Sequence, residues 1–128
     1  LYIKRTGTGN TGWVQIDRCE SGTYTPTGTI VSNLDSVTPG VFTYLRVGDI
    51  VTVFGDVSYD PTAASNVQLA ISLPLASNFT SSGDLSGSGG AWGCRATADT
   101  TNDRAAFTIN NSVTSATAAA LNFQYRVI

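Results

Sequence analysis

Three aspartates could do acid–base chemistry. Asp49, Asp56 and Asp60 fall around the most hydrophobic stretch of the chain, YLRVGDIVTVFGDVSY at residues 44–59. Two carboxyl groups held a short distance apart are the machinery of glycoside hydrolysis. Asp49 and Asp60 sit in turn sequences, however, and Asp56 follows a glycine within a strand. Nothing sets one of them in an apolar pocket as a raised acid, so no catalytic residue is assigned and the chain is expected not to be an enzyme. Asp99, Asn102 and Asp103 place oxygen atoms close together, as a hard cation requires. They lack the alternating ligands and terminal glutamate of a calcium loop and read as a polar turn. There is no histidine, which removes the commonest general base and the commonest metal ligand together. Cys19 and Cys94 cannot build a zinc site by themselves. They read as two buried free thiols, with one disulfide as the alternative. Neither metal nor cofactor is expected.

The elements that would position these residues are strands. Residues 44–59 read as strand, tight turn, strand, with Gly48-Asp49 as the turn of an antiparallel pair. Val51, Val53 and Val57 share one side with Gly55, while Ile50, Thr52 and Phe54 take the other. Residues 66–73 alternate strictly, so Val67, Leu69, Ile71 and Leu73 should face a core. Residues 91–98, 104–109 and 119–128 give further strands. In the last, Ala119, Leu121, Phe123, Tyr125 and Val127 alternate. Residues 1–16 read as a small hairpin turning at residues 7–12, too slight to stand alone in water. The run SNFTSSGDLSGSGG at residues 77–90 is low in complexity and is expected to be an exposed loop. No segment has convincing helical periodicity. Roughly eight strands with close turns imply an all-β, antiparallel β-sandwich of jelly-roll type. Its division is into an N-terminal hairpin at residues 1–17 and a distal domain at residues 18–128.

Composition narrows the function classes. The chain has 128 residues, enough for one domain with a core. Charged residues make up 12%, about half the usual share, and Thr, Ser, Asn and Gly replace them. Such a surface characterises extracellular or virion β proteins more than cytosolic enzymes. The net charge is −2 with no Lys/Arg run, which argues against a nucleic-acid partner. No apolar run approaches the roughly twenty residues of a membrane-spanning helix, so no membrane insertion is expected. A chain that begins at Leu1 and contains no methionine is expected to be part of a longer polypeptide.

Several segments occur in an order that is familiar. LYIKRTGTGNTGW at the start resembles a short β element of bacteriophage fibre and appendage proteins. SGTYTPTGTIVSN, YLRVGDIVTVFGDVSYDPT, QLAISLPLASNFTSSGDLSG and the closing FQYRVI resemble the C-terminal β domain of such tailed-phage proteins. The resemblance implies a non-enzymatic virion structural protein and a homotrimer. It places the chain at a fibre tip or on a capsid or tail surface, in contact with other virion proteins. The function it implies is attachment to a host-surface receptor, a glycan or a protein. The alternative is a purely structural trimerisation or head-fibre decoration domain. Candidate rim residues for binding are Asp84, Ser88, Trp92 and Asn102. Candidate subunit-interface residues are Tyr2, Trp13, Phe42, Tyr44 and Phe54. Trp13 would pack the hairpin on a neighbour or stack on a sugar, and Trp92 would line the rim or join the core.

Overall fold

A computed structural model describes residues 2–4, 6, 7, 9, 13–15, 19–90 and 93–128, with only the backbone given at residues 2, 3 and 13–15. The side chains of Tyr2 and Trp13, and Trp92 altogether, lie outside the described residues, so the interface and rim expectations at those positions are not addressed. Every paired strand is antiparallel, and among the described residues the one helical segment is a 3₁₀ turn at Ser82–Asp84. Strands β1 (Tyr2–Lys4) and β2 (Trp13–Gln15) form the expected hairpin.

The other strands form one continuous sheet of ten. The hairpin that the sequence picked out is β6 (Phe42–Val47) and β7 (Ile50–Pro61). Val47 faces Ile50 across the two-residue turn, and Gly48 has φ 61°. Glycine at the first turn position suits that geometry because it has no Cβ to clash. On one side of β6 lies the edge strand β3 (Cys19–Tyr24). On the other side of β7 come β12 (Thr117–Arg126), β9 (Leu85–Gly89), β10 (Cys94–Asp99), β11 (Arg104–Ile109), β8 (Val67–Ile71) and β4 (Gly28–Ser32), in that order. Beyond the end of β6, β5 (Leu34–Pro39) takes over the free flank of β7.

The sheet is strongly curled into a half-barrel, and its inner face explains the curl. One register row runs Leu69, Phe107, Ala96, Gly87, Phe123, Val53. Phe107 and Phe123 are three strand spacings apart, about 14 Å on a flat sheet. Their ring centroids lie 5.7 Å apart, edge to face. Curl and the leaning of both rings over the small residues Ala96 and Gly87 make up the difference. Phe42 likewise covers its cross-strand partner position, Gly55, where an added Cβ would come within 2.4 Å of the ring. The core includes Val51, Val53, Val57, Leu69, Ile71 and Leu121, all 1% exposed or less.

A single corner carries the chain between two distant strands. β4 lies on β8 at the end of the sheet, whereas β5 lies on β7. Asn33 joins them with φ 59°, a left-handed backbone that asparagine tolerates better than most residues. Its Nδ2 lies 3.0 Å from the carbonyl oxygens of Ala63 and Ser65, and so ties the corner to the loop before β8.

Two expectations are corrected here. Residues 81–90 are not an exposed loop: they contain the 3₁₀ turn and then β9, which is hydrogen-bonded on both sides, to β10 and β12. Leu85 is buried at 1% exposure and anchors the strand. Phe42 and Tyr44, expected at a subunit interface together with Phe54, do not share its face. The two-residue turn pairs Tyr44 with Val53, which turns Phe42 and Tyr44 inward. Phe42 has no exposed surface and is core, not subunit interface.

Candidate functional site

The outward face of β6, β7, β12 and β9 carries two kinds of surface side by side. Leu45 and Val47 on β6 meet Ile50 and Phe54 on β7, and these side chains are 44%, 59%, 47% and 54% exposed. On β12 and β9 the same face presents Asn122, Gln124 and Arg126, then Ser86 and Ser88. Register sets them in rows: Thr43, Phe54, Asn122, Ser88 in one and Leu45, Thr52, Gln124, Ser86 in the next. Gln124 Nε2 donates to Thr52 Oγ1 at 2.9 Å, linking the two halves. Val47, Ile50 and Arg126 form the row after that.

At this end of the face an open groove of about 350 Å³ is lined by Ile50, Asp84, Ser86, Gln124 and Arg126, among others. That is the lower end of the range of small-molecule sites. The 3₁₀ turn builds one wall. Ser81 Oγ accepts from the Gly83 N–H, while Asp84 Oδ2 accepts from the N–H groups of Ser81 and Thr80 at 2.8 and 2.9 Å. Those backbone bonds hold the Asp84 carboxyl below its usual range, with Arg126 adding a smaller pull in the same direction. Asp84 and Arg126 nevertheless form no ion pair, and among the described residues the Arg126 guanidinium has no hydrogen-bond partner. Behind the groove, Tyr125 donates from its OH to the Leu75 carbonyl at 2.7 Å. Burial pushes that phenol up to about 12, so it stays a neutral structural group.

The expected rim residues do not converge. Asp84 lines the groove, and Ser88 lies on the same face farther along β9, with its hydroxyl 3.5 Å from Asn122 Oδ1. Asn102 is in the turn between β10 and β11 and donates from Nδ2 to Asp99 Oδ2 at 3.0 Å. These residues form a hydrogen-bonded polar turn, as the sequence suggested. Arg104 Nε also bonds Asp99 Oδ2 at 2.7 Å, and Asp103 Oδ1 accepts from the Phe79 N–H. Burial pushes the Asp99 carboxyl up, but the bonds from Asn102, Arg104 and the Thr101 N–H outweigh it and bring it to about 2. Among the described residues no group of three or more His, Cys, Asp or Glu could hold a metal.

The three aspartates around the central hairpin do not pair. At about 3.3 Å per residue, Asp49 and Asp56 stand about 23 Å apart and Asp56 and Asp60 about 13 Å. Glycosidase carboxyl groups lie within about 10 Å of each other. The thiols also differ from expectation. Both are free, but Cys19 is exposed on the edge strand while Cys94 is half-buried, and burial pushes its thiol to about 11.

Arg126, Gln124 and Ser86 were missed as candidates. The alternation of residues 119–128 put Gln124 and Arg126 together on the outward side, so their shared face was legible. Their meeting with Asp84 was not, because it requires β9 beside β12. Comparison with known proteins returns nothing: no family model, no curated protein and no solved structure matches this chain.

Proposed function

We propose that this chain is a non-enzymatic structural module of a phage fibre or appendage that assembles as a homotrimer and attaches the virion to a host-surface glycan or protein. In that reading the half-barrel takes the place of the jelly-roll-like sandwich of such domains. The observation that carries the proposal is the exposed apolar strip of Leu45, Val47 and Phe54 on one sheet face, with Ile50 beyond it on the groove. Three half-exposed aliphatic and aromatic side chains in successive register rows form a patch that a neighbouring subunit would cover. A closed threefold arrangement buries such a strip without leaving a surface that polymerises. Of the expected contact residues Tyr2, Trp13, Phe42, Tyr44 and Phe54, the strip keeps Phe54 and takes the place of Phe42 and Tyr44.

Light scattering on the purified chain at micromolar concentration tests the assembly. A trimer is expected, and Phe54→Asp should give monomers that remain folded, because Phe54 lies outside the core, with a melting temperature that no longer depends on concentration. A wild-type monomer or a stable dimer overturns the trimer. Binding of the chain to host cells separates attachment from the purely architectural alternative.

A further inference from the structure

We propose that the groove between the 3₁₀ turn and the end of β12 is a saccharide subsite that grips a vicinal diol of a neutral hexose between Asp84 and Arg126. The proposal rests on the attachment reading and deepens it.

The argument starts from charge. Arg126 offers a guanidinium with no partner among the described residues, and Asp84 offers a carboxylate whose Oδ2 is already held by the Thr80 and Ser81 N–H groups. Opposite charges flank one groove without closing on each other. A simple anion would meet the carboxylate, and a simple cation would meet the guanidinium. A ligand that donates on one side and accepts on the other satisfies both. Adjacent hydroxyls do this, since each is both donor and acceptor. The remaining lining fits the same chemistry. The Ser86 hydroxyl and the Gln124 carbonyl oxygen are neutral groups without a partner among the described residues, because Gln124 bonds Thr52 through its amide nitrogen. Ile50 supplies an apolar wall for the C–H face of a sugar ring. The amide of Gln124 is held by Thr52 and the carboxylate by the 3₁₀ turn, so part of the ordering precedes ligand binding. A zwitterionic amino acid would also bridge the two charges. The neutral hydroxyl and amide and the apolar wall favour the sugar.

The test is a titration of the isotope-labelled chain with mannose, galactose and glucose, each to roughly 50 mM, followed through backbone amide shifts. Alanine, a zwitterion, serves as the competing probe. At least one hexose is expected to move Ile50, Ser86, Gln124 and Arg126, its deoxy analogue lacking one hydroxyl of the diol should bind at least tenfold more weakly, and Arg126→Ala should abolish the shifts. Absence of shifts with all three hexoses, shifts elsewhere only, shifts that persist in Arg126→Ala, or a response to alanine alone overturns the subsite. Cell binding by wild type that Arg126→Ala leaves intact also overturns it, while the attachment reading stands. Sugar shifts in the groove without any binding to cells would uphold the subsite and overturn attachment instead.

Discussion

Gly87→Ala is the sharpest test of the structure, because it strikes a run of sequence with every sign of being a loop. An added Cβ at Gly87 would lie 2.2 Å from the Asn122 carbonyl oxygen, 2.6 Å from Phe123 Cβ and 2.7 Å from Phe123 Cα. Two of these are backbone atoms of β12, so no side-chain rotation relieves the clash, and β9 and β12 must separate at the centre of the sheet. Overpacking of a well-filled core costs about 1–3 kcal/mol, and the upper end applies where backbone must move. A loss of about 3 kcal/mol lowers the melting temperature by about 10 °C for a domain of this size. Gly90→Ala is the control in the same Gly/Ser run. Its Cβ would find its nearest neighbours at 3.6–3.8 Å, which is ordinary contact. That change should stay within about 0.5 kcal/mol of wild type. Urea unfolding of both variants, with midpoint and slope fitted together, gives the comparison. Equal and small effects would show that residues 85–89 are not a central strand, and the curled sheet built around them would fall.

Further outcomes are expected elsewhere. Leu69→Ala, at a side chain with no exposed surface, should cost about 2–5 kcal/mol in urea unfolding, whereas exposed Gln68→Ala should cost far less. Asn33→Ala should lose about 2–3 kcal/mol through the left-handed backbone and the severed corner bonds, and Asn33→Gly should recover the backbone share alone. The Asp99 carboxyl is depressed in the folded chain to about 2, so its contribution is present above the ordinary carboxylate value and is lost as pH falls through about 2. An acid titration of stability should therefore lose this component in Asp99→Asn. A thiol reagent at pH 8 should modify the exposed Cys19 quickly and Cys94 slowly, since Cys94 is half-buried and its thiol is raised to about 11; equal rates would contradict the placement.

What was legible in the sequence depended on alternation. β8, β11 and β12 each carry an unbroken apolar period of two, and their inward residues are those the pattern names. One addition is Ala70, which is also fully buried although it falls on the other side of β8. β9 was not legible, because its inward positions after Leu85 are Gly87 and Gly89. Those glycines are the consequence of large neighbours: Phe123 and Leu121 fill the space a side chain would occupy. A strand whose core volume is supplied by other strands shows no hydrophobic period of its own. The placement of Phe42 at a subunit interface failed for a different reason. Alternation does not carry across a turn, and pairing Val47 with Ile50 puts Phe42 against Gly55 and hence inside. The segment before the 3₁₀ turn hid two anchors as well. Phe79 packs edge-on against Tyr125 at 5.9 Å, and Ser77 Oγ donates to the Arg126 carbonyl at 2.8 Å.

The core and the groove are two readings of one strand. β12 turns Leu121, Phe123 and Tyr125 inward and Asn122, Gln124 and Arg126 outward. A slip of one residue against β9 would exchange the two sets, placing Arg126 in the core and Tyr125 on the surface. Sheets poor in side-chain contrast are prone to such slips, and a Gly/Ser strand has little contrast. Here the glycines supply it by volume. Gly87 faces Phe123 and Gly89 faces Leu121, and at neither position does the backbone approach leave room for a Cβ. In the slipped register the phenyl ring and the isobutyl group would face away from the two glycines that make room for them. The same register brings Arg126 beside the 3₁₀ turn that fixes Asp84. The groove is thus aligned by residues that never touch it, and the stretch least like a structural element holds the outward chemistry in place.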